Sequence, residues 1–140
     1  MKAIVYEKYG TPEVLQLKEV DKPIPKEDEA LVKVHATSLN AADFENLGKP
    51  MYKTLGSDIA GRIEAVGVNV KQFLPGDEIW GDLSAHGFGT FAEYVCVPEN
   101  ALRLKPTSMT FEEAAAVPTA AVVACRIFVV KDRFNQDKRF

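Results

Sequence analysis

The sequence predicts a mainly β domain, a compact sandwich or barrel, on three observations. Short segments of alternating or β-branched residues recur along the chain, turn-forming Gly, Pro, Asn and Asp stand between them, and only two stretches read as helical. The segments are "KAIVYE", "VLQLKEV", "EALVKVHATS", "DIAGRIEAVG", "DEIWG" and "TFAEYVCVP". Such spacing argues against βαβ units.

Taken in order, "GTPE" opens a turn after the first strand, and "DKPIPKEDE" is a loop or edge broken by proline. After the third strand segment, Asn40 is positioned to cap a helix over "AADFENLG", with Asp43 in its first turn and Gly48 as its stop. "GVNVKQFLPGD" carries two turn clusters, Gly67-Val68-Asn69 and Pro75-Gly76-Asp77, and "GDLSAHGFG" reads as a connection. In "TSMTFEEAAAV", Thr110 with Glu113 three residues later makes a capping box. Pro118 ends that helix and can occupy the first turn of the next, "TAAVVA".

Composition excludes several functions. With 17 basic residues against 20 acidic ones, a formal charge of -3 and no basic stripe, the chain has no electrostatic footprint for nucleic acid. No apolar run approaches the roughly 20 residues that cross a bilayer, and "MKAIVYEKYG" has no signal-peptide core, so the expectation is a cytoplasmic protein with no membrane partner. Cys96 and Cys125, the only cysteines, form no C-x-x-C pair and have no histidine at ligand spacing. His35, in an alternating run, and His86, in a loop, read as surface histidines.

The end of the chain reads differently from the rest. "CRIFVVKDRFNQDKRF" turns abruptly to β-branched and charged residues and is not expected to continue the helix begun by "TAAVVA"; taken alone it is an added strand and a solvated tail. Back-translated with permitted codons and read one base out of register, the segment from Ala124 to Phe140 gives LQDLRGKGQIQPGQKVL. That peptide continues the helix, stops it with Gly and Pro-Gly, and starts a strand, as a βαβ domain requires. A one-base frameshift is therefore expected, with residues 1–124 a domain and 125–140 an aberrant tail.

Several motifs, in order and at matching separations over residues 1 to about 124, resemble a known family. The opening "MKAIVYEKYGTPEVLQLKEVDKP", then "VKVHATSLNAADFENLG", "GSDIAGRIEAVGVNV", "FLPGDEIWG", "GTFAEYVCVPEN" and "AAAVPTAAVVA" look like the N-terminal GroES-like domain of the medium-chain dehydrogenase/reductases, in the zinc-independent quinone oxidoreductase branch. The resemblance implies a GroES-like, partly open β-barrel with a few short helices, lacking the Rossmann domain. Gly56, Gly61, Gly67 and Val70 fill the family's glycine pattern, while Ser57 and Asp58 stand where the zinc enzymes carry histidine and glutamate. Asn40 stands where they carry a cysteine ligand. Serine and asparagine are poor zinc ligands, so no metal is expected.

By the same resemblance, the parent protein transfers hydride from NADPH to quinones or α,β-unsaturated carbonyls, with the protein orienting the reactants and hydrogen-bonding the developing oxyanion. Asn40 is implied to bond near the nicotinamide ribose or the substrate carbonyl, and Asp43 to support the cofactor side or merely the helix N-terminus. Tyr52 is a candidate hydroxyl donor, against simple packing. Ser57 and Asp58 are candidates for the cleft floor, against a strand-start pair in which Asp58 bonds backbone amides or Arg62. Val123 replaces a threonine common in relatives, removing a hydroxyl that would face the cofactor. No G-x-G-x-x-G follows a strand here, so this chain is not expected to bind NADPH or turn over by itself.

A stand-alone GroES-like binding or chaperonin-type module is a second reading, weakened by the helices of "FEEAAAVPTAAVVA"; a zinc alcohol dehydrogenase domain is a third, weakened by Asn40 and Ser57. Self-association is expected, through the apolar face of "AAAVPTAAVVA" or by "RIFVV" adding to a sheet edge.

Overall fold

The computed structural model describes residues 1–47 and 54–136; of 46, 47 and 128–136 only the backbone is considered. All six strand segments read from the sequence form strands: β1 (Lys2–Val5), β2 (Gln16–Glu19), β3 (Glu29–Ala36), β4 (Asp58–Val66), β5 (Glu78–Asp82) and β6 (Tyr94–Pro98). A seventh, β7 (Leu102–Leu104), was not legible. Three residues are too few for an alternating pattern, and β7 exists because Leu102–Leu104 pairs antiparallel with Ile79–Gly81.

The strands make a two-stranded sheet, β1-β2, and a five-stranded antiparallel sheet ordered β6-β3-β4-β5-β7. Isolated bridges Ala3–Ala92 and Val5–Thr54 tie β1 to the segments that lead into β6 and β4. The sheets do not close on each other, and the result is the partly open barrel that was expected.

The centre of the fold is β4, which is covered on both faces. Successive strand residues point to opposite sides. Ile59 and Ile63 enter the main core with Val32, Ile79, Leu83, Val97 and Leu102, while Ala60, facing the other way, packs against Ala114 and Ala115 of a helix. Asp58 has the same parity as Ala60 and so starts on the helix-covered face, an apolar place for a carboxylate.

Among the described residues the α-helices are α1 (Ala41–Leu47), α2 (Phe111–Ala115) and α3 (Pro118–Gln136). The capping box at α2 is present in both directions, Glu113 N–H to Thr110 Oγ1 at 3.1 Å and Thr110 N–H to Glu113 Oε2 at 2.9 Å. Pro118 begins α3, where its missing N–H costs nothing. Gly48, the expected stop of α1, lies outside the described residues.

The expected end of the last helix is corrected by the structure. α3 continues without a break through "CRIFVVKDRFNQ". The β-branched residues there lower helix propensity by only tenths of a kcal/mol each, and residues 119–136 contain neither Gly nor Pro to stop the helix. "RIFVV" is therefore helical and adds no strand to a sheet edge.

Candidate functional site

Of the polar residues singled out in the sequence, Asn40, Asp43, Ser57 and Asp58 gather around the start of β4, where it meets the starts of α1 and α3. Asp58 is 1% exposed, and its two oxygens have divided tasks. Oδ1 accepts from the backbone N–H and the hydroxyl of Thr119, each at 2.8 Å. Oδ2 accepts from the amide nitrogen of Asn40 at 2.9 Å and from the hydroxyl of Ser38. A buried carboxylate is tolerated only when its acceptor sites are filled, and here four donors fill them. Of the bland alternatives for Asp58, the backbone amide is realised, in Thr119; Arg62 pairs instead with Glu78, at 2.7 Å.

Ser57 lies beside this cluster, 1% exposed, its Oγ 3.3 Å from Thr119 Oγ1. Thr119 spends its hydroxyl hydrogen on Asp58, so Ser57 is the donor in that contact. With its hydrogen given to another hydroxyl and no base bonded to it among the described residues, Ser57 is not arranged as a nucleophile.

Asn40 precedes α1, but its side chain does not cap the helix. Instead the amide nitrogen reaches Ser38 Oγ at 3.1 Å and Asp58. The cap works in reverse: Asp43 Oδ2 accepts the Asn40 N–H at 2.8 Å, and Asp43 N–H bonds the Asn40 carbonyl at 3.0 Å. Asp43 was expected to support this helix start, and it also reaches further. Its Oδ1 accepts the N–H of Gly56 at 3.0 Å, and the residue is 1% exposed. One buried carboxylate therefore ties α1 to the turn before β4, and another ties β4 to α3. Tyr52 lies outside the described residues.

The glycine turn is fixed from both sides. Gly56 has φ near +93°, and a side chain there would run into Thr90 Oγ1 and the Phe91 ring. Its carbonyl accepts from Gly89 N–H at 3.0 Å and Thr90 N–H at 3.2 Å. Beneath it, the Thr37 hydroxyl donates to the Asp58 carbonyl at 2.8 Å and stands 2.7 Å from the Thr90 hydroxyl.

Sequence reasoning found Asn40, Asp43, Ser57 and Asp58, all of which the structure brings together. It missed Ser38, Thr37, Thr90 and Thr119. Thr119 is 61 residues from Asp58, and the only local hint was a hydroxyl residue just after the proline that opens a helix. The two histidines are exposed, as read; His35 stacks on Phe111 with ring centroids 4.3 Å apart. Burial, with Glu29 nearby as a lesser cause, pushes the Cys96 thiol up to about 11, which keeps it protonated and unreactive near neutrality. Among the described residues, no three His, Cys, Asp or Glu side chains stand close enough together to hold a metal ion.

Residues 26–107 match the family model of the alcohol dehydrogenase GroES-like domain. The chain belongs to this family. Over 89% of its length it is 41% identical to the 2-methylene-furan-3-one reductase of Solanum lycopersicum and 38% identical to the chloroplastic NADPH-dependent alkenal/one oxidoreductase of Arabidopsis thaliana. The solved quinone oxidoreductase of Coxiella burnetii superposes with a TM-score of 0.84 at 31% identity, covering 90% of this chain and 43% of that one. This GroES-like chain spans only 36% of the length of each of the two plant relatives. Within the medium-chain dehydrogenase/reductase superfamily, the quinone oxidoreductases are thus among its relatives, as the motifs implied.

Proposed function

We propose that the chain is the substrate-side part of a zinc-independent, NADPH-dependent reductase of quinones or α,β-unsaturated carbonyls, inactive without the rest of such an enzyme. The observation that carries this reading is kinship with proteins named as alkenal/one and quinone oxidoreductases across nine-tenths of the chain. The polar cluster is compatible with it: where a zinc enzyme would present thiolate and imidazole, Asn40 and Ser57 present an amide and a hydroxyl, engaged with Asp58 and Thr119.

When bound, NADPH would supply the hydride for such a reduction. The chain's own residues would bind and orient. Asn40 would contact the cofactor or substrate, its amide group held by Asp58 and Ser38, and Asp43 holds the Gly56 turn against α1. Tyr52 is proposed as the hydroxyl donor to the acceptor oxygen. Residues 1–124 are read as the functional domain and 125–140 as its frameshifted tail, in a cytoplasmic protein; among the described residues no helix is long and apolar enough to cross a membrane.

Sequencing the source gene across the codons for Ala124 to Phe140 tests this reading. A second frame continuing into a glycine-rich βαβ domain is expected, and its protein should oxidise NADPH with a quinone or an enone while containing no zinc. Stop codons in every frame, or activity that requires stoichiometric zinc, overturns it. For the 140-residue chain we also propose self-association through α3, on which Val122, Val123 and Ile127 are exposed. Sedimentation should then show mass increasing with concentration; a monodisperse monomer at high concentration would contradict it.

A further inference from the structure

The orientation of the Asn40 amide follows from Asp58. A carboxylate oxygen accepts and does not donate, so the amide atom facing Asp58 Oδ2 at 2.9 Å must be nitrogen; turned over, two acceptors would meet. The second amide hydrogen goes to Ser38 Oγ at 3.1 Å, and Ser38 gives its own hydrogen to Asp58. Both Asn40 protons are therefore spent inside the cluster. What remains is the carbonyl oxygen Oδ1. Among the described residues no donor reaches it, and no buried side-chain polar atom is left without a partner, so this oxygen opens to solvent.

We propose that Asp58 is a positioning residue that fixes Asn40 with its acceptor outward, so that Asn40 receives a hydroxyl or N–H from a ligand and cannot donate to a substrate carbonyl. The resemblance had left both partners open. The amide polarity selects a donor such as a sugar hydroxyl, and assigns oxyanion stabilisation to another group. The orientation stands on geometry alone, whereas the identity of the ligand rests on the function proposed above.

The two are tested separately, because the orientation is read by NMR on the 140-residue chain with no ligand or turnover. With asparagine side chains labelled with nitrogen-15, the Asn40 amide proton bonded to Asp58 should exchange with solvent about tenfold more slowly than in a free carboxamide, the protection expected of a hydrogen bond to a charged group, and the proton bonded to Ser38 should be protected to a lesser degree. In Asp58→Asn, Oδ1 still serves Thr119, but an NH2 group now faces Asn40 and turns its amide over. Asn40 exchange should then rise to the free rate while the Thr119 N–H stays protected. Ser38→Ala provides a gentler variant: one Asn40 proton loses protection and the proton on Asp58 keeps it. Free exchange of both protons in the unaltered chain overturns the proposal, as does unchanged protection in a folded Asp58→Asn.

Discussion

Asp58→Leu should destabilise the chain by about 3 kcal/mol or more, read as a drop in the urea midpoint with little change in slope. Leucine has the forked heavy-atom skeleton of aspartate, its methyl groups larger than the oxygens they replace, so a side chain that merely filled space would be replaced at the modest cost of tighter packing. Asp58, however, is the acceptor for four hydrogens, from Thr119 N–H, the Thr119 hydroxyl, the Ser38 hydroxyl and the Asn40 amide. Each buried donor left unpaired costs about 1–3 kcal/mol, less whatever water regains by entering. The loss should appear first at the junction it holds, with the N-terminal turn of α3 exchanging its amides faster than the strands of the main core. Asp58→Asn, which keeps the acceptor for Thr119, should cost clearly less. A change below about 1 kcal/mol in Asp58→Leu would mean that water replaces the network and the cluster does not hold α3 in place.

Gly56→Ala should cost roughly 2–5 kcal/mol, from two sources that a second glycine separates. The backbone at Gly56 has φ near +93°, a conformation in which an L side chain is strained, and the added carbon would also meet Thr90 Oγ1 and the Phe91 ring. Gly76 has nearly the same φ, near +99°, with nothing within 4 Å of such a carbon. Gly76→Ala therefore measures the strain alone, about 1 kcal/mol. The difference between the two variants is the cost of the close approach. Because Gly56 also gives its N–H to Asp43 and its carbonyl to Gly89 and Thr90, relief of that clash would move the turn that sets Ser57 and Asp58. Equal losses at the two positions would show that the turn yields without strain.

Much of the fold was legible because its signals are local. Alternation located six strands, and Thr110 with Glu113 located the start of α2 by the geometry of one helical turn. Pro118 marked the boundary between α2 and α3 because it lacks an N–H. The same local logic failed at "RIFVV", where β-branched residues suggested a strand. A strand needs a partner edge, and a helix makes its own hydrogen bonds, so a sequence already started as a helix continues until something stops it. It failed also at Asn40, whose short polar side chain and place before a helix read as a cap; the cap bond is made by Asp43 from inside the helix.

The sequence by itself determined which residues were strand, turn and helix start, the glycine pattern with its family resemblance, and the absence of thiolate and imidazole from positions 40 and 57. Those follow from side-chain chemistry and from contacts within a few residues. Only the tertiary structure decided that β7 exists, that Asp58 faces α3 rather than Arg62, and that Ser38, Asn40 and Thr119 spend their hydrogens on one carboxylate. Those facts depend on groups brought together from as far as 61 residues apart, and a hydrogen bond between such groups leaves no periodicity in the chain.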